Sequence, residues 1–178
     1  MSLSIFCGLT SSFAYNDCDK FAGGLVKIAA SAYSSSLSPV WTYGAYNIIT
    51  GATGVSTFYN IDQTSRIEFT NWVWTPDDTT NRGAMGTLVC TFFVYGVDAE
   101  NIAKVEGMNN SLFRVIIGDQ NGKHFLIGHN SPAICKITNA GSGAAGADIP
   151  GFEMTFTVKT KNIIFEMSEG LALSLITN

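Results

Sequence analysis

The chain has 178 residues, of which 46% are hydrophobic, 12% aromatic and only 13% charged, about half the ~25% charged share of a typical soluble domain. A single domain of this length buries roughly 70% of its unfolded surface and needs no disulfide or metal to hold a core. The many aromatic residues exclude a disordered chain, and the net charge of −4 argues against a basic face that binds nucleic acid.

The N-terminal part is predicted to be an arm over residues 1–24, followed by a single β domain over 25–178. Met1 to Cys7 lacks the basic segment and the long apolar core of a signal peptide. No apolar run approaches the ~20 residues of a membrane helix. We therefore expect a protein with no membrane association that acts where it is made or leaves by a route other than secretion.

The four cysteines match no zinc-binding spacing. Cys90 and Cys135 lie in apolar segments, which predicts buried thiols. Cys7 and Cys18 lie in the arm, and the sequence leaves open whether they pair.

The first half of the domain has strand-like composition. Strands are predicted at 25–33, 40–49 and 55–61, with a turn at 50–54 because of its two glycines. The next segment, 66–75, contains two apolar pairs of opposite parity, Ile67 with Phe69 and Trp72 with Trp74. This pattern predicts either a bulge near Asn71 or a strand that is apolar on both faces.

The middle of the chain contains the best helix signal. An exposed polar loop is predicted at 76–84, followed by a central strand at 85–95 that is covered on both faces. Asp98 is a suitable N-cap for a short helix at about 99–106. Gly107 is the expected left-handed residue after the helix.

The C-terminal third reads as a series of antiparallel strands. Asn121-Gly122 between two apolar runs is a strong hairpin signal, and a further strand is predicted at 133–138. Alternation then predicts three amphipathic strands, with inward residues Phe152, Met154, Phe156 and Val158, then Ile163, Phe165 and Met167, then Leu171, Leu173 and Leu175. The fold class is therefore mainly β: an antiparallel β-sandwich or barrel of about nine or ten strands with one short helix.

Motifs for catalysis and cofactors are weak. Residues 141–146 match G-x-G-x-x-G, but a strand follows instead of the helix that a dinucleotide site requires. His124 and His129 have an odd spacing that suits no metal pair, and His124 is expected on the strand surface. Asp77 and Asp78 are adjacent and would point apart, unlike a glycosidase pair. We predict no enzyme, no cofactor and no metal.

Three patterns carry a family resemblance. They are the arm segment from Cys18 to Leu25, the hairpin Val115 to Gly128, and Ala147 to Phe156 after a Gly/Ala-rich loop. In this order they resemble tail tube and tail ring proteins of bacteriophages that infect Bacteroidetes, including crAss-like phages. The resemblance spans most of residues 18–160 and implies a tail-tube-like β domain with one flanking helix.

The resemblance also implies partners and a location. Such proteins form rings, here expected to be hexameric or dodecameric, that stack into a conduit for DNA in the virion tail or neck. The neighbours would be tail, portal or collar proteins, the DNA would pass without sequence-specific binding, and synthesis would occur in the host cytoplasm. A repeating tube and a single connector ring both remain open, as does the hairpin that lines the channel. We expect Asp77, Asp78 and Arg82 to make inter-subunit contacts.

Two other functions remain as alternatives. A carbohydrate-binding or adhesive β-sandwich would use Trp41, Trp72 or Trp74 to stack on sugars. A capsid decoration protein would form a trimer or a monomer on a shell. Low charge with uncharged strand edges favours an assembly subunit whose edges are covered by neighbours over a monomer with a neutral polar surface.

Overall fold

The computed structural model describes residues 25–61, 71–77, 85–141 and 150–177. These residues form a mainly β fold with a twelve-stranded mixed sheet, two α-helices and a short 3-10 turn at Ala45–Asn47. The strands are β1 (Leu25–Ala32), β2 (Val40–Tyr43), β3 (Ile49–Thr53), β4 (Phe58–Ile61), β5 (Asn71–Pro76), β6 (Gly86–Tyr95), β7 (Leu112–Asp119), β8 (His124–Ile127), β9 (Ala133–Gly141), β10 (Gly151–Thr160), β11 (Phe165–Met167) and β12 (Ile176–Thr177). The helices are α1 (Ala99–Met108) and α2 (Glu169–Leu175).

The sheet is open, and its longest run of strands is β2-β3-β11-β8-β7-β9-β10-β6-β5. β1 pairs with β7 and β4, and β4 pairs with β12. The pairs β3–β11 and β4–β12 are parallel, whereas the other pairs are antiparallel. A β-rich fold is confirmed, but the wholly antiparallel sheet and the closed barrel are wrong, and the strand count exceeds ten. Local alternation does not encode which distant strand a short C-terminal strand will join.

The sheet has two parts joined by a short pairing. Leu112 and Phe113 of β7 pair with Ile134 and Ala133 of β9. We call β12-β4-β1-β7-β8-β11-β3-β2 the large part and β9-β10-β6-β5 the small part. The two parts pack against each other, and Phe113 meets Phe156 edge-on with ring centroids 5.7 Å apart. This arrangement is consistent with a β-sandwich-like fold.

The first core fills the space between the two parts. The inward residues predicted on β10 are all buried, and Phe156 stacks on Phe92 of β6 at 4.8 Å. β6 buries Leu88, Cys90 and Phe92, whereas its residues of opposite parity are only half-buried. The predicted cover on both faces of β6 is therefore wrong: its neighbour β10 is deeply buried on one face only, and its neighbour β5 has no fully buried residue.

The second core lies on the opposite face of the large part. Ile116 of β7 faces this core, while its neighbours Val115 and Ile117 face the first core. Helix α2 covers the second core with Ala172. The strands buried on both faces are thus β1, β7 and β8, and β6 is not among them.

The hairpin of β7 and β8 forms as predicted. Gly122 adopts φ +77°, which a residue with a side chain rarely adopts. The Asp119 carboxylate accepts hydrogen bonds from the backbone N–H groups of Asn121 (2.9 Å) and Lys123 (2.7 Å). These bonds close the loop and hold the two strands in register.

Helix α1 begins as predicted but ends later. The Asp98 carboxylate accepts a hydrogen bond from Asn101 N at 2.8 Å, which confirms the N-cap. Gly107 lies inside the helix, so its predicted capping role is wrong. Asn110 adopts the left-handed conformation instead, with φ 59°, since asparagine tolerates this region better than most residues.

The last predicted strand is wrong. Leu171, Leu173 and Leu175 were assigned to one strand face, but Glu169–Leu175 forms helix α2. Leu171 and Leu175, four residues apart, both pack on the second core, whereas Leu173 is exposed. Leucine favours helices, and its spacing here suits a helix as well as a strand.

The predictions around residues 40–75 are mixed. Ile49–Thr53 is strand β3 where a turn was expected, because Gly51 is needed for close packing: a Cβ there would lie 3.2 Å from Thr42 Cβ. Strand β5 pairs with β6 without a register shift from Asn71 to Pro76. Ile67 and Phe69 lie outside the described residues, so the bulge near Asn71 stays a prediction.

Within the described ranges, neither helix is long and apolar enough to cross a bilayer.

Candidate functional site

Strands β2 and β5 form the two ends of the longest run of the sheet. Among the described strands each pairs with a single neighbour, so one backbone edge carries no partner. Neither strand contains a charged residue, and both expose valine: Val40 is 64% exposed and Val73 is 52% exposed. Natural proteins usually protect such edges with charged side chains, because a free edge can pair with another chain.

The charged residues of the described strands lie in other strands, each of which pairs with more than one neighbour. They are Lys27, Arg114, Asp119, Lys136, Glu153, Lys159 and Glu166. Lys136 lies where β9 pairs with β10 alone, because β9 pairs with β7 only at Ala133 and Ile134. The two ends of the longest run thus lack the charge that usually protects edge strands.

The hairpin that joins β2 and β3 carries a strained tyrosine at its tip. Tyr46 (φ 57°, ψ 24°) and Asn47 (φ 61°) both adopt the left-handed conformation. Ile48 N donates to Ala45 O at 3.2 Å, which completes a type I′ turn. Tyr46 is 94% exposed. A bulky residue in this conformation is uncommon, and the conformation costs about 1–2 kcal/mol.

Asp77 is the one predicted contact residue within the described ranges, and it directly follows β5. Its carboxylate accepts a hydrogen bond from Thr87 Oγ1 (2.6 Å) and forms an ion pair with Lys159 Nζ (2.9 Å). These hydrogen bonds, that from Thr87 first, lower the pKa of Asp77. Asp78 and Arg82 lie outside the described residues. The inter-subunit role of all three stays a prediction.

An aromatic and histidine cluster lies beside β2, and the sequence reading missed it. His129 Nε2 is 2.6 Å from the Tyr43 hydroxyl, and His129 Nδ1 is 2.6 Å from Asn130 Oδ1. The His129 ring stacks on Phe165 at 4.2 Å and lies 5.6 Å from Trp41. Burial lowers the pKa of His129, the hydrogen bond with Asn130 opposes this shift, and the nearby Arg114 lowers the pKa further. A neutral ring whose Nδ1–H donates to Asn130 Oδ1 and whose Nε2 accepts from the Tyr43 hydroxyl satisfies both contacts.

Arg114 of β7 lies near this cluster and is only 8% exposed. Its guanidinium carbon lies 4.9 Å from the centroid of the Tyr33 ring, a cation–π contact. Burial lowers the pKa of Arg114. The sequence offered no signal for this arrangement, because Arg114 follows the apolar Phe113 in an ordinary strand and its neighbours come from other elements.

The buried thiols are confirmed, but the position of His124 is not as predicted. Cys90 and Cys135 are buried and free, and burial raises the pKa of each to about 12. His124, expected on the surface, is 7% exposed. It is buried because Gly118 across the hairpin has no side chain, so the imidazole packs against the β7 backbone. The pairing of Cys7 and Cys18 concerns residues outside the described ranges.

The three tryptophans are half-buried and pack on the two cores. A small pocket beside His129, lined by Ser131, Thr160 and Phe165 among others, has room for about one water molecule. In the part of the chain that the structure describes, no group of three or more His, Cys, Asp or Glu side chains is placed to hold a metal ion.

No family model, curated protein or solved structure matches the chain.

Proposed function

We propose that this chain is a structural subunit that joins edge to edge with copies of itself in a ring or tube. The observation that carries the proposal is that β2 and β5, the two ends of the longest run of described strands, carry no charged residue and expose valine. Unprotected edges persist in soluble proteins when another strand covers them.

The two end strands suggest a head-to-tail contact. When β2 of one copy pairs with β5 of the next, each copy uses two different surfaces, and repetition of one rotation closes a ring. Val40 and Val73 flank the two backbone edges and would be covered in this contact. Tyr46 at the tip of the β2–β3 hairpin would reach beyond the edge toward the neighbouring copy.

The assignment to a virion rests on the family resemblance. We infer a bacteriophage tail or neck protein whose rings form a conduit for DNA, with tail, portal or collar proteins as neighbours and no catalytic activity. The net charge of −4 agrees with a channel wall that does not retain DNA, because retention requires Lys and Arg to neutralise phosphates.

The carbohydrate-binding alternative receives less support. A sugar platform requires an aromatic ring exposed beside polar groups, whereas Trp41, Trp72 and Trp74 are all packed against a core. A capsid decoration protein remains the second candidate, and its expected trimeric or monomeric state separates it from a ring of six or twelve copies.

The experiment places one lysine on each end strand. We expect the wild-type chain to form large oligomers in analytical ultracentrifugation and rings or tubes in negative-stain electron microscopy. Val40→Lys and Val73→Lys should each shift the distribution to small species, because lysine on an edge strand opposes strand addition. Ile134→Lys is the matched control, since Ile134 is 41% exposed but pairs with Leu112 of β7 on one side and Thr157 of β10 on the other.

Circular dichroism and the melting temperature of each variant separate lost assembly from lost folding. Large oligomers that persist in both folded edge variants would contradict edge-to-edge assembly. A wild-type chain that stays monomeric at high concentration, and is absent from any ordered ring in the particle, would contradict the ring function as a whole.

A further inference from the structure

Arg114 is a buried cation that has no anionic partner among the residues that the structure describes. Arg114 is only 8% exposed. Its Nε is shielded from solvent and has no hydrogen-bond partner. The three ion pairs among the described residues involve lysines only. Burial of an unpaired guanidinium is costly, because its hydration is lost and no protein charge replaces it.

The neighbouring elements pack closely against the Arg114 backbone and supply polar groups beside its side chain. Gly128 lies on the β8 side, where a Cβ would be only 3.3 Å from Arg114 Cα. Ser31 lies opposite Arg114 on β1 and is itself buried. Tyr33 presents its ring face to the guanidinium. His129 contacts the Tyr43 hydroxyl of strand β2, and Arg114 lies near enough to His129 to lower its pKa.

We propose that Arg114 is the cationic centre of a binding site for one oxyanion, a carboxylate or a phosphate. A guanidinium presents N–H donors in a fixed fork that matches two oxygens of such a group. The low exposure of Arg114 restricts the ligand to a single small group and excludes the continuous backbone of a duplex. The inference does not depend on the ring proposal, since a free anion and a carboxylate from a neighbouring copy have the same chemistry.

The chain has only three arginines, Arg66, Arg82 and Arg114, so their Nε–Hε groups give three NMR signals. The signal that disappears in the Arg114→Lys variant is thereby assigned to Arg114. We expect titration with inorganic phosphate or with acetate to shift the Arg114 signal saturably, while sodium chloride at matched ionic strength does not. The Arg66 and Arg82 signals are internal controls and should follow ionic strength alone.

A dilution series distinguishes the two sources of the anion. If a neighbouring copy supplies a carboxylate, the Arg114 signal shifts as the protein assembles, and phosphate competes with that shift. If a free anion is the ligand, the phosphate response is the same at all protein concentrations. A signal that responds to neither phosphate, acetate nor assembly beyond the chloride control would overturn the proposal.

A second variant gives an independent readout. Arg114→Met retains much of the side-chain volume but removes the charge, so we expect a melting temperature equal to or above that of the wild type in chloride. Phosphate should raise the melting temperature of the wild type saturably and leave that of Arg114→Met unchanged, because a ligand stabilises only the folded form that binds it. Equal responses of both proteins to phosphate would contradict the site.

Discussion

The two cores on opposite faces of β1, β7 and β8 differ in their composition and their surroundings. The first core holds seventeen buried residues, all apolar, between the two parts of the sheet. The second holds eight, and polar side chains lie beside it at one end: Arg114, His129 and Tyr43. The first core is thus suited to stability alone, whereas the margin of the second core brings charge and hydrogen-bonding groups next to β2, which pairs with β3 alone among the described strands.

The largest expected effect is a cavity in the first core. Phe156→Ala should lower the free energy of unfolding by about 3–5 kcal/mol, because Phe156 is fully buried and stacks on Phe92. Phe165→Ala at the margin of the second core should cost less, since Phe165 keeps 8% exposure and stacks on His129. Urea unfolding of both variants measures the difference. Equal losses of unfolding free energy in the two variants would contradict the claim that the first core contributes more to stability than the margin of the second.

A smaller effect is the loss of stability at high pH, which arises because the first core disfavours a charged Cys90 thiolate. Burial raises the pKa of Cys90 from its ordinary value of 9.0 to about 12. Below about pH 8 the thiol is neutral in both states, so it adds no pH dependence. Between pH 9 and pH 12 only the unfolded chain ionises, so stability falls by about 1.4 kcal/mol by pH 10.

The measurement is the unfolding free energy at pH 8 and pH 10 for the wild type and Cys90→Ala. Between pH 8 and pH 10 the free energy of unfolding should fall by about 1.4 kcal/mol more in the wild type than in Cys90→Ala. The same decrease in both proteins would mean that the Cys90 thiol ionises as easily in the folded state as in the unfolded one.

The smallest expected effect lies at the β2–β3 hairpin of the large part. Tyr46→Asn should raise the free energy of unfolding by about 0.5–1 kcal/mol, because asparagine tolerates the left-handed conformation better than tyrosine. The same change should weaken self-association. Tyr59→Asn is the control, since Tyr59 is 66% exposed in strand β4 and has no positive φ. A Tyr46→Asn variant that is destabilised would contradict the assigned strain.

The regularity of the first core explains which parts of the fold could be predicted. Phe152 to Val158 alternates strictly, and Asn121-Gly122 fixes a hairpin through backbone conformation, so both are readable from short stretches. Leu171 to Leu175 fits both strand and helix spacing, and only contact with the second core decides between them.

The candidate sites depend on contacts that no local pattern contains. Arg114, His129 and Tyr43 are brought together from three separate elements, so neither the cluster nor its missing anion can be read from spacing. Uncharged strand edges were expected from the low charge of the chain, but the position of β2 and β5 at the ends of the longest run of described strands follows from the strand order.

Cross-linking between the two end strands tests the central claim most directly. In a background with Cys7→Ser and Cys18→Ser, Thr42→Cys places a thiol on β2, and Asn71→Cys, Val73→Cys or Thr75→Cys places one on β5. Cys90 and Cys135 are buried and should not react. We expect a disulfide dimer when a β2 variant is mixed with at least one β5 variant, since adjacent strands bring Cα atoms within the ~4.4–6.8 Å range that a disulfide spans. No dimer in any mixture, or equal dimer formation by each variant alone, would contradict head-to-tail pairing of β2 with β5.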